Sequence, residues 1–277
     1  MGTTQRINPG VTGQPNWRGL NVSATNIAKT VEIEKQNEEN KEVDNKTPEQ
    51  QAKEYQRLLM RRNNNLSSLF NYLVKTGGGT KNITTGKSRS IGKAGIKTSS
   101  KLTHFIADVG SNGLQQTLQT NGFGNLEGKT TLDIINFLVI YCSDVTTGMD
   151  ETAANKASLE VLSKIAEESS NDIDKFEQIL SEYAEGGGMS NLVCEFWGYY
   201  IFEHLSQRFQ ERITQQKGEE VSSETFTIIK DDIIGRVKVL NEKRAVSNIN
   251  WKGAEGEKIR ETIFVEIINI ICNGKNN

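Results

Sequence analysis

Behind residue 47, apolar residues recur three and four apart, the spacing that puts side chains on one face of a helix. The clearest case follows Thr47-Pro48-Glu49-Gln50: Thr47 serves as N-cap, Pro48 takes the first helical position and Gln50 closes a capping box. Tyr55, Leu58, Leu59, Leu66, Leu69, Phe70 and Leu73 then keep to one face until Gly77-Gly78-Gly79 ends the helix. Similar patterns predict helices near 102–109, 130–142, 150–169, 172–184, 190–216, 223–242 and 255–272, with a short one at 113–119. Their starts are signalled by Thr130 or Thr131 before Asp133, by Asn171 before Asp172, and by Ser190 before an aromatic run. Period-two alternation is confined to Thr225-Phe226-Thr227-Ile228-Ile229, where a strand is the minor reading. The pattern predicts an all-α chain, with a single domain of about eight helices over 48–277.

The first 47 residues read differently. They carry Gly2, Gly10, Gly13 and Gly19 with Pro9 and Pro15, followed by a charge-mixed run at 32–46. Such a stretch buries too little apolar area to offset its ordering entropy, so a flexible arm is expected over 1–47. Trp17 is the exception, since an indole left in water is costly, and it is expected to dock on the chain's own body or on a partner.

Charge divides the helical part unevenly. Between 75 and 101 every charge is positive: Lys75, Lys81, Lys87, Arg89, Lys93, Lys97 and Lys101. With its glycines, this stretch reads as a mobile basic loop, and Lys81, Lys87, Arg89 and Lys93 are candidate nucleic-acid contacts. From 144 to 185 carboxylates dominate instead, as expected of a solvated pair of helices or of a surface that attracts the basic loop. The formal net charge is only −2, so any polyanion binding has to come from a local patch.

Composition and motifs exclude more than they assign. Hydrophobic content of 35% with three prolines suits one helical core of about 230 residues. Cys142, Cys194 and Cys272 are widely spaced in apolar stretches, which predicts buried thiols and a reducing, cytoplasmic setting. No apolar run is long enough to cross a bilayer. A phosphate-binding loop ending at Gly86-Lys87-Ser88 would need a glycine where Lys81 stands, and it would have to follow a strand. His104 and His204 lack a ligand-spaced partner, and Ser190 lacks the surrounding turn of a nucleophile elbow. The cluster Phe196, Trp197, Tyr199, Tyr200 and Phe202 reads as core rather than as a stacking platform, because interleaved cations are few. Myristoylation wants Ser or Thr where Arg6 stands. The residues thus point to no catalytic group, no metal and no cofactor, and to a protein that is not an enzyme.

Four features together carry a resemblance: the Gly2-Thr3-Thr4 head, the proline- and glycine-bearing arm with Trp17, the helix ending Tyr72-Leu73-Val74-Lys75-Thr76-Gly77-Gly78-Gly79 before a basic stretch, and the helical remainder. They resemble the QatB family, the helical subunit of a four-gene anti-phage defence system. The resemblance implies a protein-interaction role beside a QueC-like (QatC-type) protein, an ATPase and a TatD-like nuclease. QueC enzymes activate a deazaguanine carboxylate with ATP and deliver nitrogen to it, so an exposed N-terminal amine on Gly2 could take the place of ammonia. This N-terminal modification would make Gly2 the acceptor and give Thr3, Thr4 and Trp17 the partner contacts. An α-amine of pKa near 7.8 is roughly 14% neutral at pH 7, against about 0.04% for a lysine, which favours Gly2 over any side-chain amine. The alternative is a nucleic-acid-binding helical module that uses the loop at 75–101.

Overall fold

A computed structural model describes residues 16–39, 47–143, 148–185, 187–242 and 249–273. Within them lie eleven α-helices and no strand. They are α1 (Trp17–Glu39), α2 (Pro48–Thr76), α3 (Thr80–Thr84), α4 (Lys93–Asn112), α5 (Leu114–Thr120), α6 (Thr131–Cys142), α7 (Met149–Glu168), α8 (Ile173–Glu185), α9 (Gly188–Lys217), α10 (Glu219–Glu242) and α11 (Ala254–Asn273). The count exceeds the expected eight or so: each of the nine segments read as helical above is a helix, and to these are added α1, inside the supposed arm, and α3, inside the supposed loop. The doubtful stretch at 225–229 is helical, within α10.

The core is built around α9, which touches α1, α4, α7, α8, α10 and α11. A helix enclosed in this way has to be apolar on nearly every side. Accordingly Met189, Val193, Phe196, Trp197, Tyr200, Ile201, Leu205, Phe209 and Ile213 are all buried. Trp197 stacks face to face on Phe264 of α11, with ring centroids 3.5 Å apart, and meets Phe196 and Tyr200 edge-on. The aromatic cluster is therefore core, as its composition suggested. Arg260 of α11 reaches across to α4, donating to Thr103 Oγ1 at 3.1 Å and Ser100 Oγ at 3.3 Å, and to the Trp251 carbonyl at 2.7 Å.

Local signals set several helix ends. Thr47 and Gln50 form the reciprocal cap, with the Thr47 N–H donating to Gln50 Oε1 at 3.0 Å and the Gln50 N–H donating to Thr47 Oγ1 at 3.3 Å. Thr130 and Asp133 do the same for α6. At α8 it is Asp172, rather than Asn171, that accepts from the Lys175 N–H, at 3.0 Å. Asn171 instead takes a left-handed turn position, with φ 58°.

The expected flexible arm over 1–47 needs correction. α1 buries Leu20, Ala24, Ile27, Ala28 and Val31, a stripe at helical spacing that packs on α2, α9 and α10. Gly19, counted above among the glycines of the arm, lies against the Tyr72 ring, where a Cβ would come within 2.4 Å. It is a contact glycine that lets α1 approach α2. At its other end α1 is tied to α10 by Lys35, which bridges Glu220 at 2.7 Å and Glu224 at 3.0 Å. Residues 1–15 and 40–46 lie outside the described residues, and with them Gly2, Thr3 and Thr4.

Cys142 and Cys194 are buried and Cys272 is half-buried, all as thiols. Burial pushes the Cys142 thiol up to about 12 and that of Cys272 up to about 11. No described helix is long and apolar enough to cross a membrane.

Candidate functional site around the root of the N-terminal segment

Two of the regions singled out from sequence come together in space. Trp17, at the start of α1, stacks on Phe209 of α9, with centroids 5.5 Å apart and planes 26° apart. Of the two docking partners expected for Trp17, the structure places it against the chain's own body. The Arg208 guanidinium lies over the same indole, 5.9 Å from its centroid. Its Nη2 donates to the Ser90 carbonyl at 3.3 Å. Burial pulls Arg208 below the usual arginine range, while Tyr200 and Asp150 act to raise it. One buried guanidinium thus joins the root of the N-terminal segment to the basic stretch.

That stretch is not the mobile loop its glycines and charges suggested. Ile83 of α3 and Ile91 beyond it are buried in the core. Gly92 turns the chain into α4 at φ 111°, and a Cβ there would sit 2.2 Å from the Ile83 carbonyl oxygen, so the backbone passes where only glycine fits. Polar groups from elsewhere in the chain complete the anchoring. Asp150, in the first turn of α7, accepts at Oδ1 from the Gly92 N–H at 3.2 Å and at Oδ2 from the Ala94 N–H at 2.8 Å. Tyr200 donates its hydroxyl proton to the same Oδ1 and accepts from the Gly92 N–H. His204 Nε2 approaches Asp150 Oδ1 at 3.0 Å.

The carboxylate therefore lies where the N-terminal ends of α4 and α7 meet, both of which favour negative charge. Burial by itself would raise its pKa. His204, through its hydrogen bond and through its charge when protonated, together with the Ala94 amide and Tyr200, outweighs that and brings Asp150 down to about 2. Burial dominates at the fully enclosed His204 and holds its pKa below the ordinary histidine value, against the pull of Asp150. His204 is thus a neutral Nε2–H donor to an ionised Asp150, and its Nδ1 has no hydrogen-bond partner among the described residues. Burial, then the Asp150 charge, pushes the Tyr200 phenol well up.

An acid, an imidazole and a phenol in sequence have the makings of a proton relay. Here His204 and Tyr200 are both 0% exposed, and the array's hydrogen bonds run to the backbone amides of Gly92 and Ala94. The acidic run was expected to be a solvated pair of helices or a surface that attracts the basic loop, and Glu167, Glu168, Asp172, Asp174, Glu182 and Glu185 are indeed exposed on α7, α8 and the turn between them. Asp150 and Glu177 instead cap other helices, Glu177 accepting from the Leu114 N–H at 2.9 Å. Asp150 meets the basic stretch through its backbone amides, at Gly92 and Ala94. Sequence reasoning missed Asp150 and the pairing of His204, because the partners lie fifty or more positions apart. The one available signal was a histidine on an apolar helix, which needs a partner when buried.

With the backbone tied down, Lys81, Lys87, Arg89 and Lys93 all point outward and are exposed, and none forms an ion pair with a described carboxylate. Arg18 and Arg212 are exposed beside the root, and Arg212 donates to Asn21 Oδ1 at 2.5 Å. Arg208 thus links Trp17 to Ser90, next to Arg89 in the basic stretch.

The family model of QatB, described as a Qat anti-phage system associated protein, matches residues 78–271. The chain belongs to the QatB family. The matched region opens at the glycine turn after α2 and takes in the basic segment, the Asp150 network and α9, so the tied platform falls within the family's shared part. No curated protein and no solved structure matches the chain. Family membership makes it a component of the Qat anti-phage system, with other components of that system as its setting.

Proposed function

We propose that this QatB-family chain is a non-enzymatic subunit that binds the QueC-like protein of its system and presents the Gly2 amine as acceptor for deazaguanine conjugation. The observation that carries this reading is the anchored Trp17, which fixes the root of the N-terminal segment on a rigid body. From there to Gly2 the chain spans at most about 50 Å when fully extended. A partner docked against the body is then within reach of the head, and Thr3 and Thr4 offer hydroxyls to the walls of a narrow channel. The α-amine is the nucleophile of choice for the reason already given, its larger neutral fraction at neutral pH. Burial of Tyr200 and His204 beside Asp150 supports a chain without chemistry of its own. The cytoplasm is the compartment in which such a complex would meet phage, and the ATPase and TatD-like nuclease are its further expected partners. A nucleic-acid role remains the second reading, favoured by the exposed Lys81, Lys87, Arg89 and Lys93.

Intact-mass measurement tests the first reading. Protein co-produced with the QueC-like partner is expected to lack Met1 and to carry an added mass on its N-terminal peptide. Gly2→Pro, or an extension ahead of Gly2, should prevent the addition and leave thermal stability unchanged. An unmodified Gly2 in a fully protective complex would overturn it.

A further inference from the structure

The basic segment is held more firmly than an isolated charged loop needs to be. Lys87, Arg89 and Lys93 stand on a backbone fixed by buried Ile91, by the Gly92 turn, by the Asp150 carboxylate and by Arg208 at Ser90. A flexible cationic loop loses side-chain and backbone entropy when it binds, whereas a pre-ordered one has already lost the backbone part. The same Arg208 that holds Ser90 also lies over Trp17, so the segment that carries the cations is tied to the root.

We infer that Lys87, Arg89 and Lys93, with Arg18 beside the root, form a preorganised docking surface for an acidic face of the protein partner that receives the N-terminal segment. This deepens the reading above and rests on it. Charge complementarity specifies the occupant as anionic, and two observations favour protein over nucleic acid. A single strand needs exposed aromatic faces on which its bases stack, but Trp197 and Tyr200 are buried in the core and Trp17 is already engaged by Phe209 and Arg208. The chain also carries a net charge of −2, and the acidic α7 begins within hydrogen-bonding distance of the platform, which disfavours a long polyanion while leaving room for a compact acidic patch. Pairing at such a rim steers the approach of the partner and sets its orientation, which brings the head toward the partner's active site.

The test measures binding of the full chain to the purified QueC-like partner, comparing wild type with Lys87→Glu/Arg89→Glu/Lys93→Glu. All three side chains are exposed, so circular dichroism and melting should stay as in wild type, and a triple variant that folds with unaltered stability is the one to be read. The expected result is affinity weakened at least tenfold in the triple variant, and wild-type binding that weakens as salt rises. A variant lacking residues 2–15 is expected to keep most of the salt-dependent binding, since the surface lies on the body. Undiminished binding by the triple variant overturns the inference and leaves the Gly2 reading standing. No binding by wild type at all removes the reading on which both rest. Tight binding of a 30-mer single- or double-stranded DNA by the isolated chain, lost on triple reversal, overturns it in favour of nucleic acid.

Discussion

α1 and the segment from Gly77 to Lys93 are both polar, glycine-bearing stretches, yet they are held in place by opposite means. α1 is held by its own side chains, since Leu20, Ala24, Ile27, Ala28 and Val31 recur at helical spacing and are removed from water together. The basic segment contributes little beyond Ile83 and Ile91, and its backbone amides are captured by Asp150 and Tyr200, which lie 50 or more positions further along the chain. Order of the first kind is written into a local pattern. Order of the second kind belongs to the assembled fold, and it lets a segment keep its charges outward without losing its shape.

The sharpest way to break the comparison is to remove the shared acceptor. Asp150→Ala leaves the Tyr200 hydroxyl, His204 Nε2 and two amides without their carboxylate, all of them buried or partly buried. A loss of about 3–5 kcal/mol is expected in denaturant unfolding. Hydrogen exchange should rise at Gly92 and Ala94 while α1 keeps its protection; uniform loss across both regions would deny the separation. Ile27→Ala is the converse change. Ile27 is fully enclosed, so the cost should be about 2–4 kcal/mol, with exchange rising in α1 and the amides of Gly92 and Ala94 still protected.

A smaller effect follows from pH. Because burial holds His204 below its ordinary value, the unfolded chain takes up a proton below about pH 6.5 that the folded chain refuses. Stability from this group is therefore complete above that pH and declines as pH falls, by at most about 1.4 kcal/mol per unit. His204→Gln, which keeps an N–H donor near Asp150, should flatten that part of the profile. A residual slope is expected from His104, also lowered by burial and by Arg260. Asp150 adds its own loss only lower down, as pH falls below the ordinary carboxylate value toward about 2. An unchanged slope in His204→Gln would show that the imidazole is not held neutral. The smallest effect belongs to the surface cations: replacing Lys81, Lys87, Arg89 and Lys93 by glutamine should alter stability by less than about 0.5 kcal/mol each. A larger loss would make these side chains part of the tie that Asp150 provides.

Much of this architecture is legible without coordinates. Thr47 with Gln50 and Thr130 with Asp133 announce their helices, because a cap depends on residues three apart. The aromatic run on α9 could be read as core, since a helix apolar on several faces has to be enclosed. α1 was legible in principle: its apolar stripe is regular, but it is made partly of alanine and flanked by glycine, proline and mixed charge, so composition outweighed period. Asp150, His204 and Arg208 were not legible as partners, for each is ordinary on its own helix and acquires its role only where α4, α7 and α9 meet. By itself, then, the sequence determined the all-α class, the family and the outward run of cations, because helical period, caps and one-signed charge are local properties. That the cations stand on a fixed backbone beside Trp17 was decided by the tertiary structure alone, because the hydrogen bonds that fix them join residues far apart in the chain.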